Sequence, residues 1–169
     1  MERSATTSQF YSIDIQGIDG QKLSPEIFAG KRVLIVNTAS ECGFTAQYAQ
    51  LQELHAHFKD KVVVLGCPCN DFGGQEPGSE RSIQEFCQSR FGVDFPLTAK
   101  MKIKGDDPHP LFAWLMSEAS SKKQLPAEEV VQWNFTKFVL DEEGGFLNHF
   151  PASEDPFSPA VLSALDVHI

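Results

Sequence analysis

The chain has 169 residues, with 14 basic against 23 acidic side chains and a formal net charge of −9. That length suits one domain around a single core, and 41% hydrophobic with 22% charged residues argues against disorder, collagen or a coiled coil. A phosphate backbone is bound by clustered Lys and Arg, and the densest basic spots here are only Lys31-Arg32 and Lys122-Lys123, so no nucleic-acid partner is expected.

The longest apolar runs, Val33 to Val36 and Val62 to Leu65, are too short to cross a bilayer, and no stable membrane anchor is expected. The opening stretch, Met1 to Gln9, is polar and reads as a flexible tail without the apolar centre of a signal peptide. Cytosol is the expected compartment. There the four cysteines, at 42, 67, 69 and 87, are expected to be free thiols, reactive or buried, and not structural disulfides.

No linker or repeat divides the chain, which reads as a single domain over 1–169. Phe10 to Ile15 alternates apolar and polar ahead of the turn residues Gly17-Ile18-Asp19-Gly20, which predicts an N-terminal hairpin. Ser24-Pro25-Glu26 reads as a helix cap with proline in the first turn. Val33 to Val36 has the continuous apolar character of a strand buried on both faces. Tyr48, Leu51, Leu54 and Phe58 recur at helical spacing and predict a helix from about Thr45 to Phe58; Val62 to Gly66 then reads as a second buried strand, closing a parallel βαβ unit. A Gly/Pro-rich loop, Cys67 to Gly78, leads to a second helix near Ser79 with Ile83, Phe86 and Cys87 on its apolar side. Pro108 to Ser117 predicts a third helix, Phe135 to Leu140 a strand, and Phe146 to Phe150 its hairpin partner across a turn; Ser158-Pro159 starts a last helix. This order gives an α/β fold with a central mixed sheet flanked by helices, in a thioredoxin-like arrangement.

Cys42 lies in the loop that leaves the first strand and enters a helix, at the carboxyl end of a parallel strand, where α/β sheets place their sites. Free backbone N–H groups and a helix dipole at such a place favour a thiolate, and a thiolate attacks a peroxide O–O bond to give a sulfenic acid. A buried, inert cysteine is the plainer reading of the same residue. Glu41 opposes ionisation if it is close, so the thiolate needs neutral donors, which Gln75, Trp133 and Asn134 can supply. Cys67 and Cys69 form Cys-Pro-Cys without a second ligand pair, so no metal is expected and buried inert thiols are the favoured reading. His55 and His57 read as solvated helix residues.

These segments also carry a resemblance. NTASECGFT, residues 37–45, resembles the NVASxCGxT signature of the glutathione peroxidase family; PCNDFGGQEPGS, Pro68 to Ser79, resembles its second signature, and WNFTKF, Trp133 to Phe138, its third. The three stand in register over most of the chain, and the resemblance implies a thioredoxin fold and hydroperoxide reduction without a cofactor. By motif, Cys42 is the peroxidatic residue, with Gln75, Trp133 and Asn134 completing a catalytic tetrad. Phe86 to Val93 resembles the FCxxxxGV stretch of the two-cysteine, thioredoxin-dependent branch, which makes Cys87 the resolving residue; a core cysteine is the alternative. The chain departs from the family at Asp71, in place of glutamine, and at Asn148-His149-Phe150, in place of an Arg-Tyr pair. The connection from Ser117 to Trp133 is short, as in monomeric members.

The expected activity is therefore a thiol peroxidase acting on hydrogen peroxide and organic, including lipid, hydroperoxides, recycled by a thioredoxin-type reductant and poorly by glutathione. A redox relay that hands its disulfide to a client protein uses the same residues and is the alternative. A non-catalytic thioredoxin-fold binding module is disfavoured by the intact Cys42, Gln75, Trp133 and Asn134.

Overall fold

The computed structural model describes residues 8–169. Four strands form one sheet in the order β2-β1-β3-β4, where β1 is Arg32–Thr38, β2 Val62–Pro68, β3 Lys137–Leu140 and β4 Phe146–Phe150. β1 pairs in parallel with β2, from Arg32↔Val62 to Thr38↔Pro68, and antiparallel with β3, from Val33↔Leu140 to Val36↔Lys137. β3 and β4 form the expected hairpin, with a register shift between Val139 and Leu140. The crossover between the parallel strands carries α2, Gln47–His57. This is the thioredoxin-like arrangement with a mixed sheet that the element order predicts.

Alternation along the strands builds two cores, one on each face. Leu34, Val36, Val62, Val64 and Val139 meet α2, α3 (Glu80–Phe91) and α5 (Pro159–Ala164). Val33, Ile35, Val63, Leu65, Phe138 and Leu140 meet α4 (Pro110–Lys123) and α1 (Gln9–Ser12). The parallel pair β1 and β2 is buried along nearly its whole length because helices cover both sides. Among the described residues no helix is long and apolar enough to cross a membrane.

The N-terminal hairpin is replaced by one helical turn. Phe10 does not alternate in a strand but enters the core, 5.3 Å from the Phe28 ring and 6.0 Å from that of Trp114. The Ser8 hydroxyl caps this turn at Phe10 N and donates to Gly144 O over 2.8 Å. Around the Gly17–Gly20 turn a short pairing remains, with the bridge Gln16↔Lys22, Gly17 N on Gln21 O at 2.7 Å and Leu23 N on Ile15 O at 2.9 Å, while Gly17 also bridges Thr98. Six alternating residues fit a single helical turn as well as a strand once one aromatic has a core socket. Residues 1–7, most of the expected tail, lie outside the described residues.

The helix starts follow their caps. Ser24 caps the short 3₁₀ turn Pro25–Ile27, Ser79 caps α3 at Ser82 N, and Ser158 caps α5 at Val161 N. α4 begins at Pro110, where His109 Nδ1 accepts from Leu111 N, and runs six residues past the expected end at Ser117 because Ala119 still faces the core. Its stop is Gln124, in the left-handed region at φ 56. α2 starts at Gln47, two residues later than predicted, because the chain winds from Cys42 to Ala49 through successive tight turns. β3 starts at Lys137 instead of Phe135: Phe135 has φ 68 and its N–H is held by Asn37 O at 2.6 Å, which breaks the extended run.

Candidate active site

Three segments converge at the carboxyl ends of β1 and β2: the turn 39–46, the loop 69–79 and the kink 133–136. Thr45 fixes the first. Its hydroxyl accepts from Cys42 N and donates to Ala39 O, both at 2.9 Å, which folds the turn around the cysteine. This is why α2 has no side-chain cap of its own. The Phe44 N–H then points at Cys42 Sγ, 3.3 Å away. A sulfur charge at this position is met by that donor. Glu41 is exposed, where solvent screens its opposition.

Asn37 fixes the kink. Fully buried at the end of β1, it donates from Nδ2 to Trp133 O (3.1 Å) and accepts at Oδ1 from Thr136 N (3.0 Å). Lys137, also fully buried, donates from Nζ to Phe135 O (2.8 Å) and Ala152 O (3.0 Å). Burial pulls that ammonium down to about 8, against the opposing pull of Asp155 and Glu154. The kink is thus clamped from both sides, and Trp133 and Asn134 are its tip.

The third segment is tied to both others. Gln75 O accepts from Glu41 N (3.0 Å), and Gln75 Oε1 accepts from Asn134 Nδ2 (3.0 Å). Asn134 Nδ2 also donates to Phe72 O at 3.2 Å, so both of its amide hydrogens are committed. Gly73, at φ 75, lets the loop lie flat on the indole: a Cβ there would stand 2.7 Å from Trp133 Cη2. Glu76 is buried beneath, receives the Ser40 hydroxyl at 3.0 Å, and is pushed above the usual carboxylate range by burial.

Cys42, Gln75, Trp133 and Asn134 are therefore gathered at one place. Among the described residues, however, the Phe44 N–H is the one hydrogen bond to Cys42 Sγ; no side chain of the other three reaches the sulfur in this state. Cys87 lies on α3, wholly buried, in the same core as Cys42, and both thiols are free. Cys67 and Cys69 face the opposite core, on the other side of the sheet. Burial pushes the Cys67 thiol far up and that of Cys69 up to about 12, which fits buried, unreactive thiols.

The glutathione peroxidase family model matches residues 10–116. The chain is 45% identical over 162 residues to the glutathione peroxidase-like peroxiredoxin GPX5 of Chlamydomonas reinhardtii, covering 92% of this chain and 98% of that protein. The chain belongs to the glutathione peroxidase family. It is accordingly a peroxidase. The hydroperoxy fatty acid reductase gpx1 of Synechocystis is 43% identical over 150 residues, covering 86% of this chain and 88% of its own. The crystal structure of Trgpx in its apo form superposes with a TM-score of 0.70 at 32% identity, over 94% of this chain and 96% of that one.

The two departures from the glutathione peroxidase pattern have structural consequences. Asp71 Oδ2 accepts from Ile103 N (2.7 Å) and Lys104 N (3.1 Å). Burial would raise this carboxyl, but the two backbone donors bring it below its ordinary range. The substitution therefore serves as a loop clamp. His149 is half-buried, stacked 5.7 Å from Phe138, and burial lowers it to about 4, so it is neutral. Lys123 of α4 donates to His149 O at 2.9 Å and, with Phe44, Trp133 and His149, lines an open cavity of about 510 Å³ beside the Cys42 turn.

Sequence reading passed over Asn37, Thr45, Glu76 and Lys137. Each is a polar residue that ends inside the core, and the signal available for Asn37 and Lys137 was a polar side chain adjoining an apolar strand run. His55 is not a solvated residue: its Nδ1 accepts from Val64 N at 3.2 Å. β2 is an edge strand, and its outward N–H requires an acceptor.

Proposed function

We propose that this peroxidase reduces hydrogen peroxide and organic hydroperoxides, lipid hydroperoxides included, through Cys42 and Cys87. The Cys42 thiolate attacks the nearer peroxide oxygen, the O–O bond breaks, and the alkoxide or hydroxide leaves with a proton as alcohol or water. Cys42 becomes a sulfenic acid. Cys87 sulfur then displaces that hydroxyl, which leaves as water, and a Cys42–Cys87 disulfide forms. A thioredoxin-type dithiol reopens it, with glutathione the poorer reductant.

The observation that carries this reading is the Phe44 N–H on Cys42 Sγ at 3.3 Å, beside a Gln75 side chain whose oxygen is held by Asn134. With Oε1 occupied, the Gln75 Nε2 and the indole Nε1 of Trp133 are the donors left for peroxide oxygen, a preorganised set of the kind that stabilises developing charge. Asn134, its amide hydrogens committed, is a positioning residue for Gln75. The open cavity beside Phe44 and Trp133 supports room for an organic tail, and the name of the Synechocystis relative supports the same substrate class. The short Ser117–Trp133 connection supports a monomer, and the sequence supports a cytoplasmic protein.

Peroxide consumption by wild type, Cys42→Ser and Cys87→Ser, with a thioredoxin system and separately with glutathione, tests this reading. Turnover by wild type alone, with thioredoxin alone, is expected. One equivalent consumed followed by a stall with either reductant would instead favour the relay.

A further inference from the structure

Behind Cys42, on the same face of the sheet, three polar groups meet in an otherwise apolar core. Thr38 ends β1, Tyr48 lies in the first turn of α2, and Cys87 lies in α3; each is 0% exposed. Thr38 follows Leu34 and Val36 in the alternation of β1 and so faces α2 and α3. The Tyr48 ring is held by Phe91 and Phe135, both at 5.5 Å, and Phe95 at 6.4 Å, which fixes where its hydroxyl lies. That hydroxyl has the Thr38 hydroxyl and the Cys87 thiol as neighbours. Yet neither Tyr48 Oη nor Thr38 Oγ1 has a partner in bonding geometry. Two buried, unpaired hydroxyls are costly, and phenylalanine would fill the same aromatic socket without that cost.

We propose that the Tyr48 hydroxyl is the hydrogen-bond donor that forms and holds the Cys87 thiolate for the resolving step, with Thr38 orienting the phenol. The inference rests on the reading of Cys87 as the resolving residue. The step balances as follows. The Cys87 thiol gives up its proton, and its sulfur bonds to the Cys42 sulfenic sulfur. The S–O bond breaks, and the hydroxide takes up a proton to leave as water; Cys87 sulfur is oxidised and Cys42 sulfur reduced. Burial pushes the Cys87 thiol up to about 11, Tyr48 acts in the favourable direction, and the Glu76 carboxylate opposes it. A donor at this point has leverage because the thiolate is scarce at neutral pH. The α3 closure lies directly after, with Gly92 at φ 60 and Val93 N on Cys87 O at 3.2 Å, and this last turn must loosen to deliver the sulfur.

Tyr48→Phe keeps the ring and removes only the oxygen. Wild type, Tyr48→Phe and Cys87→Ser are each given one equivalent of hydrogen peroxide. Sulfenic acid is trapped with dimedone, and the Cys42–Cys87 disulfide is followed by mass spectrometry against time and pH. In Tyr48→Phe the sulfenic acid should persist roughly tenfold longer, the loss expected for a hydrogen bond to a charged group, and the pH profile of disulfide formation should shift upward so that the gap closes in alkali. Resolution at the wild-type rate, or faster, overturns the proposal. So does a slowing by one factor at every pH. If sulfenic acid vanishes from Cys87→Ser as fast as from wild type, the reading of Cys87 itself has failed, whatever Tyr48→Phe does.

Discussion

Asn134 Nδ2 donates to Gln75 Oε1 over 3.0 Å, joining residues 59 positions apart in the chain. The bond occupies the oxygen end of the Gln75 amide and leaves Nε2 as the donor that the proposed reaction offers to peroxide. Asn134→Ala should therefore release Gln75 and lower the rate of Cys42 oxidation by roughly 10²-fold, the usual loss for one preorganised donor. Stopped-flow oxidation by hydrogen peroxide measures this. A wild-type rate would remove Gln75 from the site.

The four thiols differ in access. Cys42 keeps 9% of its surface exposed, whereas Cys67, Cys69 and Cys87 show 0%. Burial holds Cys87 near 11 and Cys69 near 12. Native enzyme at neutral pH should take up one iodoacetamide quickly, at Cys42, and all four only on unfolding. Peptide mapping decides it, and equally fast labelling of Cys69 or Cys87 would contradict the placement.

Gly73→Ala meets two obstacles. The position has φ 75, and the new methyl would stand 2.7 Å from Trp133 Cη2. A loss of about 1–3 kcal/mol is expected from strain and overpacking, together with a displaced indole and slower peroxide reduction. Thermal unfolding and Trp fluorescence read the two effects separately. Gly74→Ala, where the Cβ meets nothing within 4 Å, carries only the strain of φ 62 and is the control.

Lys137 gives a pH signature. Its folded value is near 8 against an ordinary 10.5, so between those values the folded chain binds fewer protons than the unfolded one. Stability from this group therefore rises with pH across that window, by about 3 kcal/mol at most. Burial raises Cys69 and Cys87, which lose stability with rising pH, so wild type and Lys137→Met should be compared at each pH, where shared groups cancel. The variant's deficit should widen between pH 8 and 10.5. A constant deficit would mean that Lys137 titrates alike in both states.

Hydrophobic patterning and turn chemistry by themselves determined the strands at Val33–Val36 and Val62–Leu65, the helix between them, the β3–β4 hairpin, and the placement of Cys42 where a parallel strand ends. These are local properties: a strand buried on both faces must be continuously apolar, and a cap must precede its helix. The motif residues Cys42, Gln75, Trp133 and Asn134 were also legible, since their order along the chain carries the resemblance. Only the tertiary structure decided how they are held. Thr136 N reaches Asn37 Oδ1 across 99 residues, and that bond, with the Lys137 clamp, turns Phe135 out of the strand that its neighbours predict. The same holds for Phe10, drawn from an alternating segment into an aromatic socket, and for His55, whose partner is the open edge of β2. A buried polar group needs a partner, and sequence periodicity reports that a face is buried without reporting which distant atom supplies the bond.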